Sequence, residues 1–143
     1  MIFRSELVTA IRAGWKTQTR RLVKDGDYAV MARKVSMSMG LARMDEVRGR
    51  PGNRLRWKVG RVYWAQPGRG KMGVCRFKLL SIRREPVQSI TDEDARAEGM
   101  GSIHPVIQFI DVWNGIHKDR KSWANNPMVW VLTFKRLEQD KSV

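Results

Sequence analysis

Leu7, Val8 and Ile11 recur at the spacing of one helical face, with Ser5 placed to cap the segment and Gly14 to end it. This spacing predicts a helix over 6–13. Two runs rich in aromatic and β-branched residues follow, Trp57 to Ala65 (WKVGRVYWA) and Val74 to Ile82 (VCRFKLLSI). The loop from Gln66 to Lys71 separates them, which predicts two antiparallel strands. Thr91 and Asp94 have the spacing of a capping box and predict a short helix over 92–98 that Gly99 terminates. Pro105 suits the first turn of a further helix, on which Val106, Phe109, Ile110 and Trp113 form an apolar stripe that reads as core. Val129 to Leu137 starts as a continuous apolar run and turns polar, as expected of a strand covered on both faces.

Between Lys24 and Asn53 no period is sustained. Scattered Met31, Met37, Met39 and Met44, many Arg, and the closing turn cluster Arg48-Gly49-Arg50-Pro51-Gly52-Asn53 predict a long irregular basic insertion over 24–53. Methionines suit adaptable surfaces, so this insertion is a candidate contact for a protein partner. Short strands around few helices, without β-α-β alternation, give an α+β plan: a small, partly closed mixed β-barrel flanked by short helices. The chain of 143 residues fits a single domain spanning 1–143.

Apolar residues at 42% and charged residues at 29% exclude wholesale disorder. No window approaches the roughly 18 consecutive apolar residues of a membrane span, and charges interrupt the first apolar run too early for a secretion signal, so the expected location is cytoplasmic, away from membranes. Cys75 is the single cysteine, and it alternates within a strand as a small core residue. His104 and His117 offer no zinc spacing, so neither metal nor cofactor is expected. Gly68-Arg69-Gly70-Lys71 is glycine-rich and basic, but it joins two strands without the helix that cradles phosphate, so Arg69 and Lys71 are candidates for phosphate contact only.

Charge is distributed unevenly along the chain. The formal net charge is +14, and residues 1–84 hold 21 basic against 5 acidic residues, while residues 85–143 hold 7 against 9. Such an uneven field attracts polyanions, which makes RNA or a nucleotide the expected partner.

Gly14-Trp15-Lys16-Thr17-Gln18-Thr19-Arg20-Arg21 carries the pattern G-x-K-x-x-T-x-R after the first helix. With the Ile90 to Gly99 stretch, Trp113, Trp123, Asn126-Pro127 and the Val129-Trp130-Val131 strand, it resembles ASCH domains, relatives of the PUA RNA-binding fold, and most of all the longer ASCH proteins frequent in phages and prophages. The resemblance spans about residues 3–136, apart from the 24–53 insertion. It implies a PUA-like barrel with a cleft at the first motif that takes RNA or a modified base. One branch is similar to N4-acetylcytidine amidohydrolases, whose lysine, threonine and glutamate match Lys16, Thr19 and Glu98 by position.

That set makes chemical sense. Thr19 would be the nucleophile, Lys16 the base once its pKa falls, and Glu98 the proton donor. In an extended strand Lys16 and Thr19 face opposite ways, so the mechanism needs a turn at 16–18. Each residue also has a plainer role: Lys16 holding phosphate, Thr19 bonding backbone, Glu98 pairing with Arg21 or another buried arginine. Trp15, Thr17, Arg20 and Arg21 complete the candidate ligand-binding set, with Trp15 able to stack on a base. A metal-independent ribonuclease is a further enzyme class that a basic cleft with Lys and Glu allows. Tyr63 and Trp64 point oppositely on their strand, so one of them faces the cleft or solvent.

Overall fold

The computed structural model describes residues 1–32 and 43–137. Helix α1 (Ser5–Ala13) buries Val8 and Ile11, and Gly14 closes it in the left-handed region at φ 86°, its amide donating to the Ala10 and Ile11 carbonyls. The cap position falls on Arg4, and Ser5 is already helical, so the expected serine cap is absent. Strand β1 (Gln18–Leu22) pairs antiparallel with β7 (Met128–Arg136), which pairs with β6 (Cys75–Pro86), which pairs with β5 (Val62–Ala65). The long apolar run of β7 thus lies at the inside of a sheet ordered β1-β7-β6-β5, with Val129 to Leu132 all buried.

A second sheet consists of β2 (Tyr28–Met31), β3 (Met44–Gly49) and β4 (Arg54–Lys58), antiparallel throughout. Two expectations are corrected here. The run Trp57 to Ala65 is not one strand, because Gly60 at φ 89° turns the chain and sends β4 and β5 into different sheets. The 24–53 segment is not an irregular insertion in its described part, because it supplies β2 and β3. Its Val47 is fully buried and joins Trp57, Leu79, Ile82, Trp130 and Leu132 in one core, so the two sheets share an interior. Met37 and Met39, which motivated a protein-partner surface, lie outside the described residues. Among the described residues the strand pairings give two sheets, and none of them closes a barrel.

The capping box forms as expected: Thr91 accepts from the Asp94 amide, Asp94 accepts from the Thr91 amide, and α2 (Asp92–Ala97) follows. Pro105 opens α3 (Pro105–Ile116), whose Phe109 and Trp113 pack with Val129 and Val131 of β7. Val106 packs partly against that core, and Ile110 is half-buried. Cys75 sits in the cluster of Phe3, Ile11, Phe77 and Phe134 beneath α1. No described helix is long and apolar enough to cross a membrane.

The Asp27 carboxylate ties the sheets together, accepting from the Trp130 indole of β7 at 3.0 Å, from the Lys24 amide at 2.9 Å and from Arg56 of β4. Its side chain is 2% exposed, so a lost donor is not replaced by water. Trp130→Phe is expected to lower unfolding free energy by about 1–3 kcal/mol. Urea denaturation monitored by circular dichroism measures it, with the shift appearing in the midpoint and not in the slope.

Candidate functional site

Gly14 shapes the entry to the site. The tight end of α1 lets the Trp15 and Lys16 amides both bond the Ala10 carbonyl, at 2.9 and 3.1 Å, which turns Lys16 inward and leaves Trp15 73% exposed. Residues 15–17 then run irregularly into β1 without a hydrogen-bonded turn at 16–18. The Lys16 side chain curls back instead. Its ammonium donates to the Gln18 carbonyl at 2.6 Å, to the Glu98 carbonyl at 2.9 Å and to Glu98 Oε2 at 2.7 Å, so all three of its protons have acceptors.

Alternation along β1 places Gln18 and Arg20 on one face. Arg20 Nη1 donates to Gln18 Oε1 at 3.0 Å and to Glu98 Oε1 at 3.2 Å, while Nη2 reaches Glu85 at 3.1 Å and Asp94 at 3.3 Å. Arg83 binds the same Glu85 and Asp94 from outside, each at 3.1 Å. Three carboxylates thereby face Lys16, Arg20 and Arg83, and the cluster balances its own charge. Glu98 was expected to pair with Arg21 or another buried arginine, and it pairs with Arg20 together with Lys16.

Arg21 lies on the other side of the strand, with no carboxylate partner among the described residues. Its Nη2 donates to the Ile2 carbonyl at 2.8 Å, its guanidinium sits 4.8 Å from the Phe3 ring centre, and its Nε is buried without a partner. Burial, opposed by the charge of Glu98 and helped by that of Arg56, lowers its pKa to about 10. Burial also lowers the Lys16 pKa; Glu98 opposes the shift by charge and hydrogen bond, and Arg21 and Arg20 add to it.

These side chains open on a cavity of about 520 Å³ between α1, β1 and α3. Lys16, Thr19, Arg20, Arg21 and Glu98 all line it, as do Lys24 and Arg56 from the side of the second sheet. Phe109, Trp113 and His117 contribute the aromatic wall, with the His117 ring centre 4.0 Å from that of Trp113. Burial, Lys121 and Arg21 lower the His117 pKa, which favours the neutral ring at pH 7. The Thr19 hydroxyl lines the cavity with no hydrogen bond among the described residues, while its Cα is registered with Leu132 of β7. No group of three or more His, Cys, Asp or Glu residues among the described ones is arranged to hold a metal.

Of the sequence-derived candidates, Trp15, Thr17, Arg69 and Lys71 do not line this cavity. Thr17 works through its backbone, its amide bonding Ala97 and its carbonyl accepting from Phe134. Arg69 and Lys71 are exposed on the β5–β6 loop, of which Pro67 reaches the lining. Sequence reasoning missed Gln18, Glu85 and Asp94. The four-residue spacing of Asp94 and Glu98 on one helical turn was a usable signal for Asp94.

With this geometry in place, comparison with known proteins adds the fold class. A solved protein of Enterococcus faecalis V583 in the family DUF984 superposes with a TM-score of 0.56 at 11% identity, covering 96% of this chain and 74% of that one. The ASCH domain from Lactobacillus crispatus JV V101 superposes with a TM-score of 0.51 at 15% identity, covering 92% and 70%. No family model and no curated protein matches the sequence. The chain therefore has an ASCH-type fold, and at these identities the likeness speaks for the fold alone.

Burial by itself would raise the Asp94 carboxyl, but the Thr91 amide, Arg20 and Arg83 outweigh it and hold its pKa below 3.8. A carboxyl lowered in the folded state contributes stability that is present above its unfolded pKa and is lost as pH falls through the folded value. Wild type is expected to be more stable than Asp94→Asn at pH 6, with the gap narrowing below about pH 4. Thermal melts of both proteins across this range check the expectation.

Proposed function

We propose that this protein binds a nucleotide, either free or as an unpaired residue of RNA, in the cavity beneath α1. The observation that carries this reading is Arg21: a guanidinium that lines the cavity and has no carboxylate partner among the described residues, and whose buried Nε is unbonded, as is that of the carboxylate-paired Arg20 beside it. An unpartnered buried donor is costly, and an anionic ligand oxygen would satisfy it. Lys24 adds positive charge, while Phe109, Trp113 and His117 give the wall an aromatic character that suits a base. A volume of about 520 Å³ falls within the ordinary range for small-ligand sites, about 300–1,000 Å³. The ASCH-type fold, with its kinship to PUA-like RNA-binding domains, supports the same ligand class.

Calorimetric titration with cytidine and with cytidine 5′-monophosphate tests this. The monophosphate is expected to bind more tightly than the nucleoside, and Arg21→Gln to weaken it by about 10–100-fold, the worth of charge-assisted hydrogen bonds. Absence of binding to wild type at millimolar ligand overturns the reading.

A second reading is favoured by one further observation, the free Thr19 hydroxyl in the same cavity as the Lys16–Glu98 pair. In this reading the pocket hydrolyses N4-acetylcytidine. Thr19 attacks the acetyl carbonyl, the neutral Lys16 amine takes its proton, and the departing cytosine amine is protonated from Glu98; water then releases acetate from Thr19. The downward pull of burial on Lys16 assists the amine form. The three acceptors around its nitrogen favour the ammonium, so a turnover state would require that lysine proton to pass to Glu98 first. Thr19→Val is expected to abolish acetate release while leaving cytidine binding within about threefold, as a near-isosteric change at an unbonded hydroxyl. Release of acetate by the variant at the wild-type rate overturns this reading.

A further inference from the structure

The solvent face of β5, β6 and β7 carries a second, independent assembly of charge. Strand alternation turns Tyr63 inward, stacked on Phe77 at 6.0 Å, and turns Trp64 outward at 52% exposure. Register places Trp64 opposite Arg76, Val62 opposite Lys78, and Lys78 opposite Lys135, so these five side chains share one face. Arg69 and Lys71 stand exposed on the adjoining β5–β6 loop beside Met72. Five cations thus share this face and its loop with one exposed indole, and none of the five forms an ion pair among the described residues. The contrast with the cavity is sharp, because there the carboxylates of β6 and α2 are matched by cations.

The indole is held in place. Gly73 approaches it so closely that a Cβ there would lie 2.7 Å from Trp64 Cε3, and the Arg76 guanidinium sits 5.8 Å from the ring centre. A half-exposed aromatic packed on the Gly73 backbone, with unpaired cations on the same face, fits a strand of bases and phosphates. Bases stack on such a ring without sequence preference, and lysines and arginines track the backbone.

We infer that this face is a binding surface for single-stranded RNA, with Trp64 as its stacking platform and Arg69, Lys71, Arg76, Lys78 and Lys135 as its phosphate contacts. It is separate from the cavity and stands whether or not the cavity takes a nucleotide. The two basic loop residues that the sequence singled out, and that the cavity does not use, find their role here.

Fluorescence anisotropy with a labelled 12-nucleotide single-stranded RNA over a salt series tests the inference. Trp64→Ala is expected to weaken binding at least about fivefold, the lower end of one lost base stack. Lys78→Glu with Lys135→Glu is expected to reduce the slope of log affinity against log salt by about 1.4, two phosphate contacts on a single strand. Both variants should melt within a few degrees of wild type, since the altered side chains lie outside the core, and both should bind cytidine 5′-monophosphate as wild type does. Two results overturn the inference: RNA affinity unaltered in both variants, or wild type that binds phosphatidylserine vesicles but not the RNA. An effect of Arg21→Gln on the monophosphate, with none on the 12-mer, bears on the cavity alone.

Discussion

Burying the Lys16 ammonium is the constraint around which the first sheet and α2 are arranged. A charge 2% exposed survives only where every proton meets an acceptor, and here two acceptors belong to Glu98 and one to the Gln18 carbonyl. The carbonyl of Glu98 is free to accept because it falls at the end of α2, where the last carbonyls have no partner within the helix. Gly99, at φ 101°, ends the helix beside Ala10 and the Lys16 Cβ, a backbone conformation that a side chain would resist. The lysine thus joins the end of one helix to the first strand. Taking away Glu98 leaves an uncompensated buried ammonium, at a cost of about 3–5 kcal/mol, whereas without Lys16 the carboxylate still has Arg20.

The consequence for the site is electrostatic. Glu85, Asp94 and Glu98 are paired with Lys16, Arg20 and Arg83, so the next cation along β1 feels the charge of Glu98 but has no carboxylate bonded to it. Arg21, one residue on and therefore on the opposite face, is left with a backbone carbonyl and a phenyl ring. The structural ion pairs and the ligand-facing charge are separated by the two-residue period of a strand. This also explains how a glutamate can lie in the wall of a cavity whose net character remains positive.

Much of this was legible along the chain. Gly14 as a helix end, the Thr91–Asp94 box, the twice-covered β7 strand and the opposed directions of Tyr63 and Trp64 each rest on local geometry, and local geometry is what periodicity reports. Lys16, Thr19, Arg20 and Arg21 stand in one short segment and Glu98 was matched through the family resemblance, and all five line one cavity. The break at Gly60 was read through, because aromatic and β-branched residues resume directly after Lys58, Gly60 and Arg61, and a lone glycine inside a strand-like run also fits a bulge within one strand. Strands β2 and β3 were not legible. The exposed ends and half-buried middle of β2 give weak alternation, and its partner begins beyond a long intervening segment. The bond from Arg20 to Glu85 depends on β7 lying between β1 and β6, a pairing order that no local signal carries.

The second sheet earns its place through the same cavity. Val47 fills the interior between Trp57 and Trp130, while Asp27, pinned by the Trp130 indole, holds Arg56 of β4 where it lines the cavity. Arg56 also lies 4.1 Å from the Trp57 ring centre and donates to the Leu22 carbonyl, so it is fixed from three sides. Gly49 completes the arrangement, since any Cβ there would collide with the Asp27 carboxylate. A segment with no recognisable pattern therefore does two jobs at once. It closes the core under β7, and it brings Lys24 and Arg56 to the cavity wall that faces Arg21.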